Sequence, residues 1–207
     1  MTVVQALLAF SVAAALLTIT PGLDTALILR TAAVEGPRKA LAAALGICLG
    51  CLIWGAAVAV GLGALLTASQ TAFTLLKWAG AAYLAWMGLN LLLKPRKSFE
   101  AARSETPSPA GGWFRRGLLT NLLNPKIGVF YVSFLPQFVP ATALAAPFIF
   151  GLAAMHSVIG GAWSCALIAA TRPIASALKK QGVVTWLDRV TGGVFMAFAA
   201  KLALSRA

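Results

Sequence analysis

Two ionisable side chains are notable because each lies beside a proline in a long apolar segment. Asp24 follows Pro21-Gly22, and Lys126 follows Pro125. A charge at membrane depth is costly unless it is paired or hydrated, so each residue is a candidate functional residue. The two could form an ion pair, or Asp24 could exchange protons while Lys126 binds a substrate carboxylate. A third possibility is that both lie near the cytoplasmic interface, where long side chains reach water.

The prolines indicate what chemistry these positions can offer. A proline inside a helix removes a backbone donor and clashes with a carbonyl of the preceding turn. In lipid, irregular backbone persists only beside protein or a water-filled cavity, where freed amides could hold a carboxylate and freed carbonyls an ammonium group. Two breaks at corresponding positions of two halves indicate a transporter binding site. The predicted substrate-binding residues are Thr20, Pro21, Gly22, Asp24, Asn121, Asn124, Pro125 and Lys126, with Thr18 and Thr120 nearby.

The only histidine, His156, lies in the middle of an apolar segment beside Ser157. Because histidine titrates near neutral pH, His156 and Asp24 are candidates for proton coupling, although a hydrogen-bonded packing role for His156 is equally open. The sequence shows no phosphate-binding loop, no metal-ligand cluster and no nucleophile-base-acid set. It therefore predicts no cofactor, no bound metal and no enzymatic activity.

Composition predicts that these residues lie in membrane helices. The chain of 207 residues is 60% hydrophobic and 11% charged, whereas soluble domains are about a quarter charged. Uncharged runs such as residues 40–76 exceed the roughly 20 residues that span a hydrocarbon core. The net charge of +12 would suggest nucleic acid in a soluble protein. In a membrane protein it reflects basic loops, so no nucleic-acid partner is expected.

Hydropathy and helix-breaking residues predict an all-α integral membrane protein with six transmembrane helices. The predicted helices cover about residues 3–31, 39–66, 70–93, 114–139, 143–172 and 185–204, with the first and fourth broken at Pro21 and Pro125. The polar, proline-containing stretch 94–112 indicates a cytoplasmic linker. The chain is thus predicted to be a single transmembrane domain, 1–207, with a first three-helix repeat at 1–93 and a second at 113–207.

Lysine and arginine are concentrated in the loops after predicted helices 1, 3 and 5. Basic residues mark the cytoplasmic side of a membrane protein. These three loops are therefore expected to face the cytoplasm of a bacterial inner membrane, with both termini in the periplasm.

The two halves of the chain show internal similarity. Pro21 follows a threonine and Pro125 follows an asparagine, at an offset of 104, and Phe10 and Phe114 have the same offset. A second match relates residues 80–88 to residues 192–200. Because three helices per half is an odd number, the second half must enter the membrane from the opposite face. This is the inverted-repeat plan of many secondary transporters.

The second predicted helix carries two further motifs. Gly46 and Gly50 form a G-x-x-x-G motif, which favours close helix packing. Cys48 and Cys51 form a C-x-x-C motif, which leaves a membrane thiol-disulfide electron carrier as an alternative, although such a carrier needs a reactive cysteine at each helix break. An inorganic-ion exporter is another alternative, but Asp24 and His156 alone would have to supply its ligands.

Several motifs resemble the LysE/RhtB family of amino-acid exporters. Thr20-Pro-Gly-Leu-Asp24 is similar to the T-P-G-P-N signature of that family, with leucine and aspartate in place of its last proline and asparagine. The resemblance continues in residues 77–84, 114–121, 124–126 and 134–139. It implies a homodimeric inner-membrane exporter of amino acids or related small metabolites, driven by protons. The added charge of Asp24 puts the usual substrate range in doubt and could favour a cationic substrate or a proton.

Overall fold

The computed structural model describes residues 1–68, 78, 81–82, 85–86, 88–95, 110–171 and 180–204, and all regular structure within these ranges is helical. The all-α prediction is therefore confirmed for the described residues. The helices are α1 (Val3–Ile19), α2 (Leu23–Val34), α3 (Pro37–Ala68), α4 (Ala110–Leu122), α5 (Pro125–Phe134), a 3₁₀ helix (Leu135–Phe138), α6 (Ala145–Ala169) and α7 (Gln181–Leu204).

The described helices agree with five of the six predicted segments. Residues 88–93 are helical, but most of the third predicted segment and residues 96–109 of the predicted linker lie outside the described residues. Residues 110–112, which were predicted to belong to the linker, form the start of α4. The helix therefore begins slightly earlier than predicted, because the polar linker carries no sharp helix-stop signal next to α4.

By length and composition, two described helices can each cross a membrane, Pro37–Gly61 within α3 and Ala145–Ala169. Two bent pairs, α1 with α2 and α4 with α5, raise the number among the described residues to four if each pair forms one span. The helix α7, which carries Asp188, Arg189 and Lys201, is not among these candidate spans. Six spans in two inverted repeats therefore stay a prediction.

Both predicted helix breaks are confirmed. The axis bends by 54° between α1 and α2 and by 53° between α4 and α5. Thr20 and Asn124, which precede the two prolines, have extended backbones with ψ of 119° and 108°. A residue before proline is disfavoured in the helical region because the proline ring contacts its backbone. The same local cause therefore ends the first helix at each break.

The two breaks differ in how the following helix begins. At α5, the Asn124 side chain accepts a hydrogen bond from the backbone amide of Lys126 at 3.1 Å, and Pro125 occupies the first turn, where its missing donor costs nothing. At α2, the N-cap is Gly22, and no described side chain caps the helix. The first amides of α2 are therefore left to other partners.

An aromatic cluster joins the first half of the chain to the second. Phe10 of α1 lies against Phe138, with ring centroids 5.4 Å apart in an edge-to-face arrangement, and Phe130 stacks on Phe134 at 4.8 Å. All four side chains are buried. Such aromatic pairs add to the stabilisation from burial alone, so α1 is held against α5 and the 3₁₀ helix.

The helices α3 and α4 approach closely enough for backbone contact. A Cβ atom added at Gly46 would clash with the carbonyl oxygen of Phe114, and one added at Gly117 would clash with the carbonyl oxygen of Ala43. Small residues let helix backbones meet in this way. The predicted packing role of Gly46 and Gly50 is thus confirmed, because Gly50 also faces α4, at Asn121.

Gly46→Val is expected to lower the melting temperature of the detergent-solubilised chain by several degrees. The clashing atoms belong to the α4 backbone and cannot rotate away, and overpacking costs about 1–3 kcal/mol or more. Gly61→Val is the matched control on the same helix, because no described atom lies within 4 Å of a Cβ added there. Equal melting temperatures for the two variants would contradict this packing.

Candidate functional site

A small cavity lies where the two helix breaks meet α3 and α6. Its volume is about 50 Å³, which is room for only a few water molecules. Its polar lining residues are Thr18, Asp24, Thr25, Lys126, His156 and Ser164. The rest of the lining is mainly apolar and consists of Ile28, Ile47, Cys51, Ile127, Gly160, Trp163 and Leu167. The structure thus brings Asp24, Lys126 and His156, which are distant in sequence, to one cavity.

Asp24 lies in the first turn of α2 and is held by the second half of the chain. Its Oδ2 accepts a hydrogen bond from Asn121 Nδ2 at 2.9 Å. Its Oδ1 is buried without a hydrogen-bond partner among the described residues. A carboxylate in this turn is favoured by the positive end of the helix dipole. One carboxylate oxygen is therefore fixed by Asn121, and the Asn124 side chain also lies close to the carboxylate.

Lys126 caps the broken end of the first helix from the opposite half. Its Nζ donates to the carbonyl oxygens of Thr20 at 3.0 Å and Leu17 at 3.3 Å. These carbonyls belong to the C-terminal end of α1, where the helix dipole favours a cation. Asp24 is thus bonded to Asn121, and Lys126 is bonded to backbone carbonyls of α1.

Gly22 leaves the space that the Lys126 ammonium occupies. A Cβ atom added at Gly22 would lie 3.0 Å from Lys126 Nζ and 3.3 Å from its Cε. Since this glycine has an ordinary extended φ of −152°, space rather than backbone conformation favours glycine there. The Thr20 hydroxyl donates to the Leu16 carbonyl at 2.7 Å, so Thr20 takes part in the site through its own carbonyl.

Asn121 is fully buried and joins α4 to both α2 and α3. Besides its bond to Asp24, its Nδ2 lies 3.5 Å from the Cys51 sulfur. Gly50 makes room for it, since an added Cβ would lie 2.5 Å from Asn121 Oδ1. Asn121 Oδ1 and Asn124 Nδ2 are buried without hydrogen-bond partners among the described residues.

His156 lies between the cavity and the aromatic cluster. Its Nδ1 is 3.0 Å from the Tyr131 hydroxyl, and the two share a hydrogen bond. Its ring centroid lies 5.5 Å from that of Phe130, and the residue also lines the cavity. The geometry is compatible with both roles that the sequence left open, packing and proton exchange.

Sequence reasoning missed some of the cavity residues, and one residue that flanks the second break lies elsewhere. Thr120 lines a separate groove between α2 and α4, because it lies about 100° around the helix from Asn121. Pro21 and Pro125 contribute through the backbone breaks that they cause. Neither Cys51 nor Trp163 was expected in the cavity lining, although Cys51 follows Gly50 of the G-x-x-x-G motif directly.

Comparisons with known proteins agree with this architecture. The sequence profile described as "LysE type translocator" matches residues 15–206, which is nearly the whole chain. The chain belongs to the LysE type translocator family. It is therefore a membrane transport protein and not an enzyme.

Relatives of this family align along nearly their full length. An uncharacterized membrane protein of Vibrio cholerae is 29% identical over 97% of each chain. The homoserine/homoserine lactone efflux protein of Salmonella typhimurium is 32% identical over 96% of each chain. The leucine efflux protein of Klebsiella pneumoniae is 28% identical over 95% of this chain and 93% of its own. No solved structure matches the chain significantly.

Proposed function

We propose that the chain is a secondary transporter that exports amino acids or closely related small metabolites across the bacterial inner membrane. The observation that carries this proposal is the convergence of two broken helices, one from each half, on one cavity with Asp24 and Lys126. Binding sites of secondary transporters form where such broken helices meet. The efflux relatives support an amino-acid substrate, since their names give homoserine, homoserine lactone and leucine.

The cavity offers complementary groups for both charged ends of an amino acid. The Asp24 carboxylate, with its unpartnered Oδ1, suits a substrate ammonium. The uncapped start of α2 and the Lys126 ammonium suit a substrate carboxylate, because helix N-termini favour anions. The apolar wall, with Ile28, Ile47 and Leu167, suits a short aliphatic side chain. Thr20, Pro21, Gly22, Asn121, Asn124 and Pro125 are proposed to shape this site.

Transport requires the cavity to open. A volume of about 50 Å³ holds a few waters but no amino acid, so the structure corresponds to a closed state. The extended residues at the breaks, Thr20 and Asn124, are the natural hinges for rocking one half against the other. The proposed unit has two inverted three-helix halves, 1–93 and 113–207, joined by the linker 94–112, with both termini in the periplasm and two chains in a dimer.

In the direct test, the purified chain is reconstituted into proteoliposomes, which are then loaded with a panel of labelled amino acids. We expect efflux of at least one small neutral or cationic amino acid, faster when a proton gradient is imposed in the inward direction. Protein-free liposomes give the background. Equal retention of every amino acid in vesicles with and without the protein would overturn the proposed function.

His156→Gln is expected to separate substrate movement from proton coupling. The variant keeps a polar side chain at the cavity but lacks the imidazole, a group that can take up and release a proton. We expect exchange of labelled for unlabelled substrate to continue, while the acceleration by a proton gradient is lost. Tyr131→Phe is the comparison variant, which removes the hydroxyl that shares a hydrogen bond with His156 and also contacts the Cys51 thiol. Normal acceleration in His156→Gln would show that its role is packing.

A further inference from the structure

A groove on the outer face of the bundle lies between α2 and α4, apart from the substrate cavity. Its volume is about 460 Å³, within the range of pockets that bind small molecules. Each helix contributes one stripe of four residues, at positions i, i+3, i+4 and i+7. The lining residues are Leu23, Ala26, Leu27 and Arg30 on α2, and Arg116, Leu119, Thr120 and Leu123 on α4.

The two stripes place charge at one end of the groove and apolar surface along the rest. Asp24 near the start of α2 is bonded to Asn121 near the end of α4. The two helices therefore run in opposite directions along this groove, and Arg30 and Arg116 lie at the same end. Leu23 and Leu123 lie at the other end, because each is seven residues, or about 10 Å, from the arginine of its own helix. The Arg116 guanidinium also lies over the Trp113 ring, 4.6 Å from its centroid, which orients it.

We propose that this groove binds an anionic phospholipid, with the headgroup phosphate between Arg30 and Arg116 and an acyl chain along the leucines. Leu23, Leu119 and Leu123 are 53%, 47% and 77% exposed, so the apolar wall is open to the surroundings of the bundle. Arginine binds phosphate through paired donors. Basic pockets between membrane helices on the cytoplasmic side bind anionic headgroups, and these arginines lie on the predicted cytoplasmic side.

Charge favours a lipid over a second copy of the chain as the occupant. The chain has 17 lysines and arginines but only 5 acidic residues. A symmetric dimer through this groove would present the same surface from both sides. It would therefore bring more arginine and little negative charge to the cationic end, whereas a phospholipid supplies both the anion and the apolar chain.

The test titrates the purified full-length chain, in a neutral detergent, with dioleoyl phosphatidylglycerol or dioleoyl phosphatidylcholine and counts bound lipid by native mass spectrometry. Phosphatidylglycerol is expected to bind more tightly. Arg30→Gln/Arg116→Gln should weaken its binding about 30-fold, since each basic residue near an anionic lipid contributes about a fivefold factor. Arg38→Gln/Arg115→Gln removes the same charge from exposed positions on α3 and α4 and should bind like the native chain.

Further measurements distinguish the alternative occupants of the groove. Arg30→Lys/Arg116→Lys keeps the charge and should retain most of the binding even if the glutamine variant folds poorly. Inorganic phosphate at millimolar concentration should not displace the lipid. Equal binding of the two lipids, unchanged binding by Arg30→Gln/Arg116→Gln, or displacement by phosphate would overturn the proposal. So would loss of a dimer in Arg30→Gln/Arg116→Gln with unchanged lipid binding, because a second copy would then be the occupant.

Discussion

Asp24→Asn is expected to lower amino-acid efflux at least about tenfold, since a hydrogen bond to a charged group contributes roughly 1.5–3 kcal/mol. Asparagine has the same shape and can still accept the bond from Asn121, which is 2.9 Å in the native chain. It cannot offer a negative charge to a substrate ammonium or carry a proton. Because the change removes a charge from a half-buried position rather than adding one, membrane insertion and melting temperature should stay close to native.

The matched control for this variant is Glu35→Gln. Glu35 lies at the end of α2 and pairs with Lys39 at 2.8 Å, away from the cavity. An ion pair near the surface contributes about 0.2–1 kcal/mol, so efflux should be native. Full-rate efflux by Asp24→Asn, measured in proteoliposomes with equal protein content, would contradict the assignment of Asp24 to the site.

Lys126→Met is the second variant with a large expected effect. It should abolish efflux and also lower the melting temperature more than Asp24→Asn does. The ammonium donates to the carbonyls of Leu17 and Thr20, and methionine leaves both without that donor. A buried polar group without a partner costs about 1–3 kcal/mol. Since these carbonyls end α1, the geometry of the first break should loosen.

Two further substitutions help to interpret the result for Lys126→Met. Lys39→Met removes a lysine from the surface pair with Glu35 and should leave efflux unchanged. Lys126→Arg keeps the charge but replaces a compact ammonium by a wide planar group, which the narrow space beside Gly22 should not accept, so efflux should stay low. Native efflux by Lys126→Met would show that the cation has no part in transport.

The sequence was sufficient for the helix breaks and for the charged residues beside them. Proline disrupts a helix by local geometry, so Pro21 and Pro125 mark both bends without knowledge of the tertiary structure. Asp24 and Lys126 are likewise identified by being charged in apolar segments. What they bind depends on tertiary structure. The bond from Lys126 to the α1 carbonyls joins residues more than 100 positions apart, and the local sequence contains no signal for it.

The rest of the cavity lining could not be predicted for a related reason. Most residues of α3 and α6 are apolar, so apart from His156 and Ser164 their sequences give little indication of which face is turned inward. Cys51 and Trp163 therefore gave no sign of lining the cavity. Thr120 and Asn121 show the same limit of sequence-based prediction. Although they are polar neighbours in the sequence, Thr120 lines the outer groove and Asn121 is bonded to Asp24.

The central claim, that substrate binds where the two broken helices meet, can be tested through the native cysteines. Cys51 lines the cavity, and Cys165 is exposed and serves as an internal control. In a Cys48→Ala chain that is catalysing efflux, N-ethylmaleimide should modify Cys51, and a saturating exported amino acid should slow this reaction several-fold without affecting Cys165. The same amino acid should give no protection in the Asp24→Asn background. Failure of Cys51 to react during transport, or equal rates with and without substrate, would contradict the claim.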